Sequence, residues 1–439
     1  MADQESRKKL NFLDCMGFCI GQIIGSGIMV LTGIVIGITG HGTPFAFMGA
    51  AVLAIMVMLP SAFLASAIPS SGAGYSYVKR LLGERAGFFY VCMFVITQVL
   101  IATYAKGLAS YFVSIFPSFS ETAVAMTVLC IAVVINLIGL KSSALIQNCM
   151  VAFLLLSLLL FIALGLPKVE WAVLAPSFSN VMPGGIKNFL TGIALLSFAA
   201  GGAKFVAENG DDIKNPGKTI PRAMITSTLL VSVFYALVGI VASGVLPLEK
   251  VAFENLTQVA REIFPPWMYI FFVFGGAIFA LMTTLNGTLS WVTRSLQAAS
   301  KEGWLPNIFA RENRGGTPVL LLVIFALAGA LPILFGLELG TIAKMGIGLD
   351  MLCEFMILVA CFRLPSRFPR EHADAHFRVR GKVFYVLLGI VGLLMLGTSY
   401  INLSDLTGPI YVVIAVYLAF IAALTLVRHR YMVKARDVT

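Results

Sequence analysis

Two glycine-containing stretches, GQIIGSGI at residues 21–28 and FAAGGAK at residues 198–204, each lie near the middle of a long apolar segment. Glycines let a membrane helix unwind, and unwound backbone is tolerated in a membrane only where it faces a cavity or other protein. The second stretch lies five predicted helices after the first, and an odd offset inverts it in the membrane. The pattern therefore predicts two interrupted helices, 1 and 6, that cross near the middle of the bilayer.

The composition is that of a membrane protein. Of the 439 residues, 59% are apolar and 12% are charged, and the mean hydropathy is +0.93. Soluble domains average about 25% charged residues, so this chain has too few charges to cover a water-facing surface. Uncharged runs such as 48–67 and 122–140 can each cross roughly 30 Å of hydrocarbon as a helix. We therefore expect an all-α polytopic membrane protein, in which the seven cysteines are small buried side chains.

The apolar runs predict twelve membrane helices and no separate soluble domain. Their approximate ranges are 14–39, 44–68, 86–116, 121–140, 147–166, 186–208, 221–245, 266–299, 317–336, 340–363, 381–401 and 409–428. The chain then divides into a cytoplasmic N-terminus (1–13), helices 1–5 (14–166), helices 6–10 (186–363), helices 11–12 (381–428) and a cytoplasmic C-terminus (429–439).

The basic residues are distributed unevenly between the predicted loops. Of the 31 Lys and Arg residues, 23 fall on the side that carries both termini and four on the other, with four inside predicted helices. Cytoplasmic loops carry the excess of Lys and Arg, so both termini are expected in the cytoplasm and the protein in the cell (inner) membrane. The net charge of +10 follows from this orientation, and no nucleic-acid partner is expected. The first apolar segment lacks a small-residue cleavage site, so we interpret it as a retained helix and not as a signal peptide.

The interrupted helices suggest a binding site made of main chain. Free N–H groups at Ser26 and Gly27, at the positive end of a half-helix, would bind a carboxylate. Carbonyl groups near Ile23, Phe198 and Gly201 would accept hydrogen bonds from an ammonium group. Such a site recognises the common part of an α-amino acid. The alternative is that the glycines only permit close helix packing.

Several short motifs resemble those of the amino acid–polyamine–organocation (APC) family, over nearly the whole chain. They are GSGI at 25–28, IPSSGAGYSY at 68–77, KNP at 214–216 with IPRA at 220–223, EGWLP at 302–306, and GTP at 316–318. The resemblance implies the LeuT-like fold, with a 5+5 inverted repeat plus helices 11 and 12, and alternating access around the central site. Helix 2 departs from the family, since SAFL at 61–64 replaces its usual Y-x-E-L.

The resemblance also implies roles for individual side chains. Phe198 occupies the position of an aromatic gate over the substrate, Tyr104 lies near the pocket, and Thr288 leaves room there and offers a hydroxyl group. Lys204 replaces a glutamate that follows the family's helix 6 glycine. The predicted substrate site comprises Ile23, Gly25, Ser26, Gly27, Tyr104, Phe198, Ala199, Gly201, Lys204 and Thr288.

Lys204 has three interpretations, because a charge inside a membrane calls for a partner or a function. It pairs with the carboxylate of an anionic substrate, it titrates as the coupling group, or it is structural and neutralised by Glu208 or by an acid of helix 10. Lys106, Asp350 and Glu354 are further candidates for coupling, although Lys106 could instead reach the outer interface. The alternative for Asp350 and Glu354 is a local network with Lys344 that satisfies its own charges.

We therefore expect a secondary transporter of amino acids or related amines, working by proton symport or by exchange. A carrier of anionic amino acids or organic acids that uses Lys204 and Lys106 is the alternative within the fold. A non-transporting sensor that keeps the fold, or a membrane enzyme, is the alternative from another class. No catalytic residues, cofactor or metal are expected, and a group of acids and histidines at 371–376 is interpreted as a solvated loop. The expected partners are a small-molecule substrate, protons and the bilayer, without a disulfide-linked ancillary subunit, because the loop at 116–120 lacks a cysteine.

Overall fold

The structure is a computed structural model that describes residues 10–25, 27–138, 143–174, 182, 184–313 and 316–437. These residues form helices and loops, and their β-type pairings are two isolated bridges, Leu10 with Ile213 and Ser71 with Asn209. The helices of eight or more residues with α geometry are α1 (Phe12–Ile23), α2 (Thr32–Thr39), α3 (Thr43–Ala67), α4 (Ala73–Leu82), α5 (Glu84–Thr97), α6 (Leu100–Ile115), α7 (Glu121–Ile138), α8 (Ser143–Gly165), α9 (Gly185–Ala200), α10 (Pro216–Gly244), α11 (Phe279–Trp291), α12 (Thr293–Lys301), α13 (Val319–Leu334), α14 (Leu339–Phe362), α15 (Lys382–Ser404) and α16 (Gly408–Asp437). Shorter α-helical segments are Leu248–Val251, Thr257–Ile263, Pro266–Phe271, Leu364–Arg367 and Pro369–Asp374; the π-helical segments are Gly27–Leu31 and Phe272–Ile278; and the 3₁₀ helices are Gly40–Gly42, Leu166–Lys168, Trp171–Leu174, Gly201–Glu208, Gly210–Asp212 and Asn307–Ala310.

Nine stretches within the described helices are long and apolar enough to cross a membrane. The first, Phe12–Ala67, is 56 residues long and contains the interruption that follows α1, and two shorter apolar helices are Glu121–Leu137 and Val319–Leu334. Apolar side chains on α15 and α16 are widely exposed, for example Leu393 (74%) and Val416 (64%). Such a surface suits lipid and not water, so the chain is an integral membrane protein. The count of twelve spans stays a prediction.

The described cysteines carry free thiols. Cys15, Cys19, Cys353 and Cys361 are buried, as expected, whereas Cys130 is exposed on α7. The expectation that all cysteines are buried is therefore wrong for Cys130 and only partly met by Cys92, which is part-buried; the Cys149 side chain lies outside what the structure describes. A thiol is weakly polar and behaves as a small apolar group, so a lipid-facing position costs little.

α1 begins with a capping box and ends at the first glycine-containing stretch. The Asn11 side chain accepts backbone hydrogen bonds from the first turn, while Asp14 accepts one from the Asn11 N–H. At the other end, the backbone becomes extended at Ile24, and the π-helical turn Gly27–Leu31 then leads into α2. Ser26 lies outside the described residues. The α-helix is thus interrupted directly after Ile23.

The second glycine-containing stretch is wound more tightly instead of being unwound. α9 ends at Ala200, and the chain continues directly into the 3₁₀ helix Gly201–Glu208. This differs from the expected bare backbone, because 3₁₀ winding keeps i→i+3 hydrogen bonds and leaves fewer polar groups unpaired. A 3₁₀ segment of 8 residues is unusually long, and such segments often mark a hinge.

The two stretches pack against each other at glycines. A Cβ atom on Gly27 would lie 2.1 Å from the Ala199 Cβ, and one on Gly202 would lie 2.3 Å from the Gln22 carbonyl oxygen. Both distances are far below a van der Waals contact, so only glycine lets the backbones approach this closely. α3 packs along both α9 and α10 and closes a third side of the region where the stretches meet.

Candidate functional site

A cavity of about 600 Å³, counting its open mouth, lies between the two glycine-containing stretches. Among the predicted residues, those that line it are Ile23, Gly27, Tyr104, Phe198, Ala199, Gly201, Lys204 and Asp350. The structure therefore brings most of the predicted site to one cavity.

The other predicted residues that the structure describes do not line this cavity. Gly25 packs against Thr284, where a Cβ would come within 2.0 Å of the hydroxyl oxygen. Thr288 is buried, interacts with the Tyr104 hydroxyl and does not line the cavity. Lys106 donates from its Nζ to the Leu337 carbonyl oxygen at 2.6 Å and does not line the cavity.

Neighbouring glycines in the second stretch have different environments. A Cβ on Gly201 would have no atom within 4 Å, because this residue faces the open cavity. Gly202 instead touches the backbone of α1, as described above. Close packing therefore accounts for Gly25, Gly27 and Gly202, but not for Gly201.

An aromatic pair covers one side of the cavity. The Tyr104 and Phe198 rings stack with centroids 6.4 Å apart and an interplanar angle of 18°. Tyr104 belongs to α6 and Phe198 to α9, so the pair joins the two halves of the chain. Offset stacking of this kind is favourable by about 0.5–1.5 kcal/mol and gives the cavity a rigid apolar face.

Two of the expected carbonyl acceptors already have a donor. The Tyr235 hydroxyl, from α10, donates to the Ile23 carbonyl oxygen at 2.6 Å, and the Gly201 N–H donates to the Phe198 carbonyl. A carbonyl oxygen has two lone pairs, so each can accept one further hydrogen bond. Sequence reasoning missed Tyr235, whose one signal is a tyrosine within an apolar helix, where the hydroxyl needs a partner.

Lys204 is held by two carboxylates of α14. Its Nζ lies 2.6 Å from Asp350 Oδ2 and 2.8 Å from Glu354 Oε1, and all three side chains are less than one-tenth exposed. The sequence offered either Glu208 or an acid of predicted helix 10 as the structural partner of Lys204. The contacts are with Asp350 and Glu354 of α14, which corresponds to predicted helix 10. Glu208 instead accepts hydrogen bonds from the Gly74 N–H and from the Ser295 hydroxyl.

Other side chains at the cavity had not been singled out. Gln22 lines it and accepts a hydrogen bond from the Trp291 indole at 3.1 Å, while Thr284 lines it from α11. Neither residue belongs to a motif, and a polar residue on an apolar helix is a weak signal. Met58 and Met351 add flexible apolar surface to the wall.

The loop between α14 and α15 holds the acids and histidines interpreted as a solvated loop. Burial and, to a smaller extent, Arg378 lower the pKa of His372, whose ring packs against Phe384. Within the described ranges, no group of three potential metal ligands comes together.

Comparisons with known proteins point to transport. A family model described as amino acid permease matches residues 10–434. The methylthioribose transporter of Bacillus subtilis is 28% identical over 400 residues, which cover 85% of this chain and 84% of the relative. The branched-chain amino acid permease BcaP of Bacillus subtilis is 27% identical over 353 residues, 75% of each chain. Cationic amino acid transporter 1 of Arabidopsis thaliana is 25% identical over 415 residues, 88% of this chain and 67% of the relative.

Proposed function

Because this chain belongs to the amino acid permease family, we propose that it is a secondary transporter that carries a neutral amino acid with an apolar side chain by alternating access. The observation that carries the proposal is the cavity between the interrupted first helix and the 3₁₀ segment. The family coincides with the interpretation reached from the motifs at 25–28 and 214–223. The three relatives named above are described as transporters or permeases and not as enzymes.

The proposal includes an arrangement of the chain in the membrane. In this arrangement the chain has the LeuT-like fold with twelve spans: two inverted five-helix units at 14–166 and 186–363, and two further helices at 381–428. Both termini, 1–13 and 429–439, face the cytoplasm, and the membrane is the cell (inner) membrane. The distribution of Lys and Arg supports this orientation.

The amino and carboxyl groups of the solute would bind to the main chain. A helical segment starts at Gly27 beside the cavity, and the first N–H groups of a helix lack intrahelical partners and carry partial positive charge. They suit a carboxylate. The remaining lone pairs on the Ile23 and Phe198 carbonyls suit an ammonium group.

The side chain of the solute would lie against an apolar wall. α3 contributes Ala54, Val57 and Met58 to the cavity, α14 contributes Met351, and Phe198 covers them. Burial of an apolar group contributes roughly 25 cal/mol per Å², so this wall favours aliphatic or thioether side chains.

The charges near the cavity weigh against an anionic solute. Lys204 already has two carboxylate partners, and Lys106 is engaged by a carbonyl outside the cavity. A solute anion would therefore have to compete with Asp350 and Glu354 for Lys204. The carrier of anionic amino acids and the non-transporting sensor stay alternatives that the following experiment separates.

The experiment is a thermal-shift screen of the detergent-purified chain, followed by uptake into proteoliposomes. The ligands are the standard amino acids, putrescine, succinate and methylthioribose. Ligand binding to the folded state raises its stability by mass action, so leucine, isoleucine, valine or methionine should give the largest shifts. Labelled solute should then accumulate inside vesicles that contain the protein. Binding without uptake would indicate a sensor, and shifts confined to glutamate or succinate would overturn the neutral substrate.

A matched pair of variants tests the position of the site. Phe198→Ala should weaken binding of the best ligand about tenfold or more, because it removes an aromatic wall of the cavity. Phe420→Ala on α16 is the control, since this ring is 59% exposed on the outer surface. Equal effects of the two substitutions would contradict the assignment.

A further inference from the structure

Lys204, Asp350 and Glu354 form a buried ion triad between two cavities. Lys204 and Asp350 line the cavity described above, and all three residues also line a second cavity. The second cavity extends to Gly74 and Tyr77 of α4 and to Glu208, at the end of the 3₁₀ helix. The triad thus separates the proposed solute site from a polar space beside the loop that follows α3.

The formal charges of the triad do not balance. One ammonium and two ionised carboxylates leave one negative charge among side chains that are less than one-tenth exposed. An uncompensated charge in such surroundings costs roughly several kcal/mol. A buried carboxylate there therefore takes up a proton and becomes neutral instead of staying ionised. One added proton makes the triad neutral.

The position of that proton follows from the hydrogen bonds. Asp350 Oδ2 and Glu354 Oε1 each contact Lys204, but Glu354 Oε2 is buried and has no hydrogen-bond partner within the part of the chain that the structure describes. The Tyr77 hydroxyl, which lines the same second cavity, is likewise buried without such a partner. A carboxylate oxygen with no donor is poorly stabilised, whereas a protonated one carries no charge.

We propose that Glu354 Oε2 is a proton-binding site that couples solute movement to protons taken up from the second cavity. The proton adds to the Glu354 carboxylate and forms a carboxylic acid, and Lys204 and Asp350 remain a neutral ion pair beside the solute. Release of the proton leaves Asp350 and Glu354 both ionised around Lys204. The two negative carboxylates of α14 then attract the Lys204 ammonium more strongly. This attraction acts on the 3₁₀ segment that carries Lys204 and lines the solute cavity. The inference rests on the proposed function for its solute, but the binding of the proton does not.

Besides the triad, Glu208 is the one charged residue among the described residues that line the two cavities. α3 and the interior of α15, which pack against α14, contain no charged residue. Other helices packed against α14 do carry charges, including Lys79 and Arg80 on α4, Glu84 and Arg85 on α5, and Lys106 on α6, but these side chains line neither cavity. Glu208 lies at the far end of the second cavity and interacts with Arg294 of α12. The titratable side chains nearest the triad are Tyr77, Tyr90 and Tyr104 on the packed helices, Cys353 on α14 itself, and Glu208, which interacts with Arg294.

Infrared difference spectra of the detergent-purified chain, recorded without solute between neutral and alkaline buffer, test the protonation directly. The wild type should show the C=O band of a buried protonated carboxyl group that is lost at alkaline pH. Glu354→Gln should lack this band. Asp350→Asn should lack it as well, because Glu354 then becomes the single counterion of Lys204 and ionises. The control, Asp405→Asn, removes an acid that pairs with Lys344 at 3.0 Å but is part-exposed, and it should keep the band. A band that persists in Glu354→Gln would overturn the proposal.

Uptake of labelled L-leucine into proteoliposomes tests the coupling. An inward proton gradient should raise wild-type uptake about tenfold or more over matched pH, and Glu354→Gln should abolish this response. Leucine counterflow, which is driven by a leucine gradient and needs no proton gradient, should survive in the variant. A response that follows an inward sodium gradient instead, or a proton response kept by Glu354→Gln, would overturn the coupling. Absence of leucine uptake by the wild type would contradict the proposed substrate, while the infrared result would still decide the proton site.

Discussion

Adding a methyl group at Gly201 or at its neighbour Gly202 separates a glycine that faces the cavity from one that packs against a helix. At Gly202 the new Cβ would lie 2.3 Å from the Gln22 carbonyl oxygen and 2.9 Å from the Ile23 nitrogen, both backbone atoms that cannot rotate away. Overpacking of this kind costs about 1–3 kcal/mol. Gly202→Ala should therefore destabilise the protein.

Gly201→Ala should behave in the opposite way. Gly201 has φ −82° and ψ −7°, which alanine adopts without strain, and its Cβ would meet no atom within 4 Å. Replacing such a glycine by alanine stabilises a protein by about 0.4–1 kcal/mol, because it lowers the conformational entropy of the unfolded chain. The two variants should therefore differ by about 1.4–4 kcal/mol, or roughly tenfold to a thousandfold in the unfolding equilibrium constant.

The assays are denaturant unfolding in detergent and thermal shift with the best ligand. Gly201→Ala should fold at least as stably as the wild type but bind the ligand about tenfold more weakly, because the methyl group occupies solute space. Gly202→Ala should lose stability first. Gly201→Ala with unchanged affinity would refute a solute beside this residue, and Gly202→Ala with wild-type stability would refute the close helix contact.

Three further substitutions probe two hydrogen bonds and one ion pair. Tyr235→Phe should lower the free energy of unfolding by about 0.5–1.5 kcal/mol, since the Ile23 carbonyl loses its buried donor; an unchanged denaturation midpoint would argue against this bond. Glu302 accepts a hydrogen bond from the buried Tyr75 hydroxyl and pairs at 2.6 Å with Lys79, whose side chain is 26% exposed. Tyr75→Phe should therefore cost about 1.5–3 kcal/mol and Lys79→Met at most about 1 kcal/mol, measured by denaturant unfolding, and the reverse order would contradict the structure.

The main features of the chain could be predicted because they depend on local patterns. Long uncharged runs require membrane helices, since lipid offers no hydrogen bonds to the backbone. The interruption after Ile23 follows from the glycines at 25 and 27, which permit both the break and the close approach to Ala199. The gathering of Tyr104 and Phe198 at one cavity rested on the family resemblance.

Other features depend on contacts between distant parts of the chain. The 3₁₀ winding of Gly201–Glu208 could not be predicted, because glycine permits both an unwound and a tightly wound backbone, and packing against α1 selects one. The donor at Ile23 comes from Tyr235, 212 positions away, and no local pattern indicates it. The acids at 350 and 354 share a helix face and were predicted as candidates, but sequence alone left open whether Lys204 pairs with them or with Glu208.

A structure of the protein with its best thermal-shift ligand, at a resolution that shows the solute, tests the central claim most directly. We predict density between Gly27 and Gly201, with the carboxylate near the Gly27 N–H and the side chain against Met58 and Phe198. Solute bound at another place, or an empty cavity at saturating ligand, would contradict the account.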